Sequence, residues 1–306
     1  MRSPKSFVVV VRRPDGAIAI REQQWRSLLP DLKFLRWPLF RGAMVLLESI
    51  HNGFVALQFS AEHALPVEEG QPAQQTPAAA MWIAMLAMVA LFIAAPHGLA
   101  YLIARAMGWD PQGMASQWVD GGMRIAMLVG YVSLMARTDH ARRLFAYHGA
   151  EHKAIWTYEA GQPLRVVNAR PFARQHPRCG TSFLFVVIFV AVLVHALVLP
   201  ALPRLAGSDV LNALVLVPLK VLLAFPIAGI AYELQKLSAK ERCPPVIRWL
   251  TAPGMWLQNL TTREPDDAQL EVALLALERA LAREEGRAKT PDGVAVYPDY
   301  AIAAAA

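Results

Sequence analysis

Apolar residues gather along this chain in four long blocks, separated by polar and mostly basic stretches. Met81 to Ala104 is almost wholly apolar, with His97 following Pro96, and it is long enough to cross a bilayer, which takes about 20 helical residues. Met123 to Ala136 is shorter and needs Trp118 to Gly122, or Arg124, near the interface to complete a crossing. Phe183 to Leu202 is the third block, with His195 its only ionisable residue, and Asp209 to Leu234 is the fourth. Lys220 lies inside the fourth, where its long stem suits snorkelling to the near interface, and Pro218 and Pro226 mark kinks. The pattern predicts four transmembrane helices.

Between the blocks the periodicity changes. Ser6 to Val11 and Ala17 to Ile20 are strand-like runs joined by Pro14-Asp15-Gly16, a turn in which proline presets φ and glycine takes the left-handed position, so a β-hairpin is expected. From Pro30 to Leu65, Leu39, Met44, Leu47, Ile50, Phe54, Leu57 and Ala61 recur at three- to five-residue steps, interrupted by Arg36, Arg41, Glu48, His51 and Glu62. That run is too charged to span and predicts an amphipathic helix lying on the bilayer or against other helices. Glu48 and His51 make a polar pair on it. Pro66 to Ala80 reads as a linker, Leu164 to Asn168 as a strand, and His176 to Ser182 as a loop. Leu270, Leu274, Leu277 and Leu281 stripe a helix opened by Pro265-Asp266-Asp267, while the tail from Gly286 reads as poorly ordered.

Charge orients the blocks. Nine Lys and Arg precede the first, eight lie between the second and third, and nine follow the fourth, whereas the connections Gly108 to Gly122 and Ala201 to Asp209 hold only Arg204. Basic residues collect on the cytoplasmic side, so four spans with both termini cytoplasmic satisfy every loop. The net charge of +6 then reflects an anionic membrane surface, and without base-reading motifs nucleic acid is not an expected partner. Two cysteines, Cys179 and Cys243, imply no disulfide framework. The expected fold is a mainly α, polytopic membrane protein with four transmembrane helices, an N-terminal β-hairpin and cytoplasmic amphipathic helices. Its expected segments are residues 1–78, 79–137, 138–182, 183–238 and 239–306.

The chemistry centres on the helical stretch Tyr147 to Glu159, read as a continuation of the second span and closed by Gly161. His148 and His152, four apart, project from one helix face and can hold one divalent ion, zinc by preference. Glu151 beside them suits a general base, and His-x-x-Glu-His is the inverted zinc-protease pattern. A third ligand is open among Glu159, Glu233, His176 and Cys179. A closed four-ligand site would instead make a metal-binding scaffold or regulator with a cytoplasmic protein partner. Few buried charges and no inverted repeat argue against a transporter.

Four separated blocks, Tyr147 to Lys153, His176 to Phe183, Gly229 to Leu234 and Leu260 to Asp266, together resemble the YqhQ-like family of bacterial membrane proteins, often described as predicted metal-dependent enzymes. The resemblance runs from Met1 to about Leu277. It implies an inner-membrane protein with metal-site residues at His148, Glu151, His152, His176 and Cys179, and leaves the substrate open. Members carry a short Gly-rich stretch ahead of the Met1-Arg2-Ser3-Pro4 equivalent, so a misplaced or truncated start is expected here.

Overall fold

The computed structural model describes residues 1–25, 27–29, 31–32, 37–64, 78–204, 207–240, 242–288 and 292–306. In chain order its elements are β1 (Ser6–Arg12), β2 (Ile18–Gln24), α1 (Pro38–Ala64), α2 (Ala78–Val89), a π turn (Ala90–Ala94), α3 (Ala95–Met107), α4 (Met114–Met135), α5 (Asp139–Glu159), α6 (Val166–Ala169), α7 (Gly180–Val198), α8 (Asp209–Ser238), α9 (Pro245–Thr261), α10 (Asp267–Glu284), β3 (Gly293–Tyr297) and α11 (Tyr300–Ala305). Most of the expected linker, up to residue 77, lies outside the described residues.

Among the described residues three helical stretches are long and apolar enough to cross a membrane: Leu86–Met107, Gly180–Ala201 and Asp209–Ser238. α4 joins them as a fourth only when taken with α5 across a 102° bend. The molecule is therefore a multi-pass membrane protein. Within the bundle, α7 and α8 meet through Phe183, Val186, Val190, Ile227 and Ala231. α4 meets α7 where Gly121 faces Val192 and Leu128 faces Phe185, so these two helices run antiparallel. The charged helix α1 packs along α8, its Gly42 lying so close to the Ala228 carbonyl that no side chain fits.

A second, polar unit joins the two ends of the chain. β1 and β2 form the expected hairpin, with Val10 opposite Ile20, and the turn holds Gly16 at φ 88°. Strand periodicity sends Val8, Ile18 and Ile20 to one face, against Val272 and Leu275 of α10, and Val11 and Ala19 to the other, against Phe59 of α1. Burial on both faces explains why β1 reads as an unbroken apolar run. α10 starts with a capping box between Asp266 and Gln269 and lays Leu270 and Leu274 on Ala150 and Ala154 of α5.

The fold departs from the expected elements in five places. The second span does not continue into the histidine helix. Thr138 caps a new helix, its Oγ1 accepting from the Ala141 amide at 3.3 Å, and the chain turns there. Leu164 to Asn168 is no strand. Val166–Ala169 instead forms one helical turn that buries Ala169 against α5 and α10. Helix α7 begins at Gly180, inside the stretch read as a loop. Lys220 does not snorkel: it is buried and paired with Asp120. The tail is ordered where described, because Gly293–Tyr297 alternates as a strand should and finds the open edge of β2, giving the order β1-β2-β3.

Candidate metal centre

α5 ends in a Schellman motif, in which Gly161 at φ 66° lets the amides of Gly161 and Gln162 reach the carbonyls of Tyr158 and Thr157. Within that helix the four-residue spacing brings His148 and His152 edge to face, their ring centroids 4.4 Å apart. The third participant arrives from remote sequence. Cys179 is the N-cap of α7, and its Sγ lies 3.2 Å from His148 Nε2. One ligand atom each from His148, His152 and Cys179 lie within 4.8 Å of one another. A tetrahedral zinc with ordinary bond lengths sets its ligand atoms roughly 3.3–3.8 Å apart, so small side-chain rotations close this set around one ion.

Both imidazoles are aimed by backbone carbonyls. His148 Nδ1 lies 2.8 Å from the Thr261 oxygen and His152 Nδ1 lies 2.6 Å from the Arg174 oxygen. A carbonyl only accepts, so each Nδ1 carries the proton and each Nε2 turns toward the sulfur. This is how metal-binding histidines are held. The carbonyls are placed in turn by packing. The backbone of Arg263 crosses α5 at Gly149, where a Cβ would stand 2.2 Å from the Arg263 oxygen. The Arg263 amide donates to Phe145 O at 2.8 Å, and buried Lys153 ties α5 to Glu264 and to the Arg170 carbonyl. Gln258 of α9, fully buried, accepts from the His176 amide at 2.7 Å and donates to its carbonyl at 2.9 Å, fastening the loop that delivers Cys179.

The charges follow from this geometry. Burial opposes a thiolate at Cys179, but the bonds and charges of His148 and His152 outweigh it and bring the thiol down to about 5. Burial likewise opposes a charged His148, yet Cys179, the Glu151 carboxylate and the Thr261 carbonyl lift it to about 9. Without an ion, a thiolate and an imidazolium face each other.

The other residues expected from sequence take different positions. Glu151 is half-buried beside His148, close enough to favour its charge, and makes none of the cluster's hydrogen bonds. His176 sits between Trp156, edge to face at 4.6 Å, and His152, tilted at 5.9 Å. Its Nδ1 accepts from the Arg178 amide and its Nε2 donates to Glu159 at 3.2 Å, while burial lowers its basicity. Glu159 is held by His176 and Arg178, and Glu233 by a two-pronged pair with Arg41. Glu48 is buried against Arg2 and Ser27, while His51 is exposed. Arg174 and Gln258 carry no signal in sequence, since a backbone carbonyl or a lone glutamine makes no pattern, and Thr261 is visible there only as part of the Leu260 to Asp266 block. Lys153, directly after the histidine pair, was the one legible signal.

Fold and cluster together define a multi-pass membrane protein with a buried His-His-Cys group able to coordinate a metal. Residues 37–283 match the family model described as "Protein of unknown function (DUF1385)". The chain is 31% identical over 292 residues to YqhQ of Bacillus subtilis (strain 168), described as "Uncharacterized protein YqhQ", covering 91% of this chain and 87% of that one. The chain belongs to this family. No solved structure matches it.

Proposed function

We propose that this protein is a metal-dependent hydrolase of the bacterial inner membrane, acting on an amide or peptide bond at the cytoplasmic edge of the lipid. The observation that carries the reading is the aim of three atoms. Two Nε2 atoms, each aimed by a carbonyl on the opposite ring nitrogen, converge on one sulfur that leans to the thiolate. Nitrogen, nitrogen and sulfur suit zinc, and three protein ligands leave a fourth position for water. A zinc ion held by His148, His152 and Cys179 would supply Lewis acidity and a water acidified toward neutral pH. Glu151, on the same helix, takes a water proton onto its carboxylate and returns it to the leaving amine. His176 and Glu159 brace the cluster from the side of Trp156.

In this reading four spans cross the bilayer: the α2–α3 stretch, α4, α7 and α8. Both termini, α5 and α10 lie in the cytoplasm, as the basic loops require. α4 tolerates Asp120 and Arg124 because they pair with each other inside the bundle. α9 exposes Trp249 and Trp256 and lies at the interface, where tryptophan concentrates.

Burial of His152 and Cys179 favours a second reading, a closed metal site that regulates binding of a cytoplasmic protein. Glu151→Gln separates the two. The hydrolase reading expects the variant to keep its zinc in metal analysis and to lose complementation of a deletion strain. Full complementation with the metal retained leaves the site standing and sinks the hydrolase.

A further inference from the structure

α7 carries Cys179 at one end and His195 sixteen residues away, about 24 Å of helix, near the other. At that far end the bundle buries charges that the proposed hydrolysis does not use. Asp120 and Arg124, one turn apart on α4, form a two-pronged pair at 2.9 and 3.1 Å. Lys220 of α8, its side chain 0% exposed, donates to Asp120 and meets His97 Nδ1 of α3 at 2.9 Å. His97 Nε2 lies 3.0 Å from the Ala213 carbonyl, which only accepts. Nε2 therefore carries a proton, and Nδ1 offers its lone pair to the ammonium. A proton can cross without rotation of either side chain: one Nζ–H bond breaks, one Nδ1–H bond forms, and a neutral amine faces an imidazolium. Arg124 and Asp120 cancel. The Lys220–His97 pair holds +1 with this proton and zero without it.

The route out is polar. His97 also lines a cavity of about 10 Å³ with Asp110, Gln112, Arg204, Asp209 and Asn212, near the lower limit for one water. Gln112 accepts from Asn212 at 2.8 Å and donates to the Leu199 carbonyl at 2.6 Å, joining three segments at the mouth. His195 Nε2 and Gln117 Oε1, both buried, have no hydrogen-bond partner among the described residues, a pattern of groups that water bridges. Toward the metal centre the bundle is closed by Leu128, Phe185 and Leu257.

We propose that Lys220 and His97 form a proton-binding site inside the membrane, exchanging with the non-cytoplasmic side through the Gln112–Asn212 mouth. Asp120 and Arg124 of α4 and His195 of α7 are the other charged or titratable groups facing it, and Tyr101 of α3, Asp110, Arg204 and Asp209 ring its entrance. Sidedness rests on the orientation proposed above; the proton site itself is independent of the hydrolase.

The full chain, reconstituted in vesicles with the mouth outward, is subjected to an external pH jump from about 6 to about 10, bracketing ordinary His and Lys titration. An impermeant indicator counts the protons released. Lys220→Arg keeps the positive charge but does not give up its proton. It should release one proton fewer per chain than wild type; if the larger guanidinium disturbs packing, the second variant is the double substitution Lys220→Met with His97→Asn, which removes both titratable groups and should show the same deficit. Gln112→Leu should slow release of that proton at least tenfold. Equal counts in wild type and either of the first two variants would overturn the site, and an unchanged rate in Gln112→Leu would overturn the route.

Discussion

Gly149→Ala tests whether the metal centre is aimed from outside its own ligands. The added methyl would stand 2.2 Å from the Arg263 carbonyl oxygen, whereas ordinary contact begins at 3.4 Å. Backbone must therefore retreat by about 1 Å, since no flexible side chain can yield instead. That backbone leads to Thr261, whose carbonyl holds His148 Nδ1 at 2.8 Å. Overpacking of this kind costs about 1–3 kcal/mol, and the better helix propensity of alanine returns about 1 kcal/mol, so the net loss is about 0–2 kcal/mol. The larger effect falls on the metal. Losing the partner that orients a ligand lowers affinity about 10- to 100-fold. Competition with a chromophoric zinc chelator on purified protein measures the affinity, and thermal unfolding measures the stability. Gly53→Ala is the control, since open space surrounds this exposed position of α1, and there only a gain of about 0.5–1 kcal/mol is expected. A Gly149→Ala protein that binds zinc as tightly as wild type with a raised Tm would refute the reasoning.

Two more outcomes follow from the same geometry. Cys179→Ser should cut zinc content to a small fraction of one per chain, whereas Glu233→Gln, which loses only the Arg41 pair, should leave it intact; metal analysis of both proteins checks this, and zinc loss in Glu233→Gln alone would reverse the assignment. In the metal-free protein, His148 is raised to about 9 from 6.5, so its contribution to stability is full at low pH and lost as pH rises through 9. Cys179 is lowered to about 5 from 9.0, so its contribution is lost as pH falls through 5. The ion pair thus stabilises between about 5 and 9. Thiolate ultraviolet absorbance that persists down to about pH 5 in wild type and is missing in Cys179→Ser is the expected signature, and an ordinary thiol titration near 9 would contradict it.

The features legible from residue order alone are those that depend on near neighbours in the chain. The apolar blocks behind the long helices, the Pro14-Asp15-Gly16 hairpin and the pairing of His148 with His152 on one helix face all follow from periods of two and of three to four residues. The third member of the cluster was not local. Glu159, Glu233, His176 and Cys179 were equal on paper, and tertiary packing separated them. Arg41 and Arg178 occupy the two glutamates, Glu159 and the Arg178 amide occupy His176, and the Gln258 clamp leaves Cys179 at a helix start facing both rings. Lys220 shows the same division. A lysine within a span snorkels unless another helix brings it a carboxylate, and only the folded bundle supplies Asp120 and His97. The tail became a strand for a like reason: hydrogen bonds along the edge of β2 are available to it only once α10 has carried the chain back to the sheet.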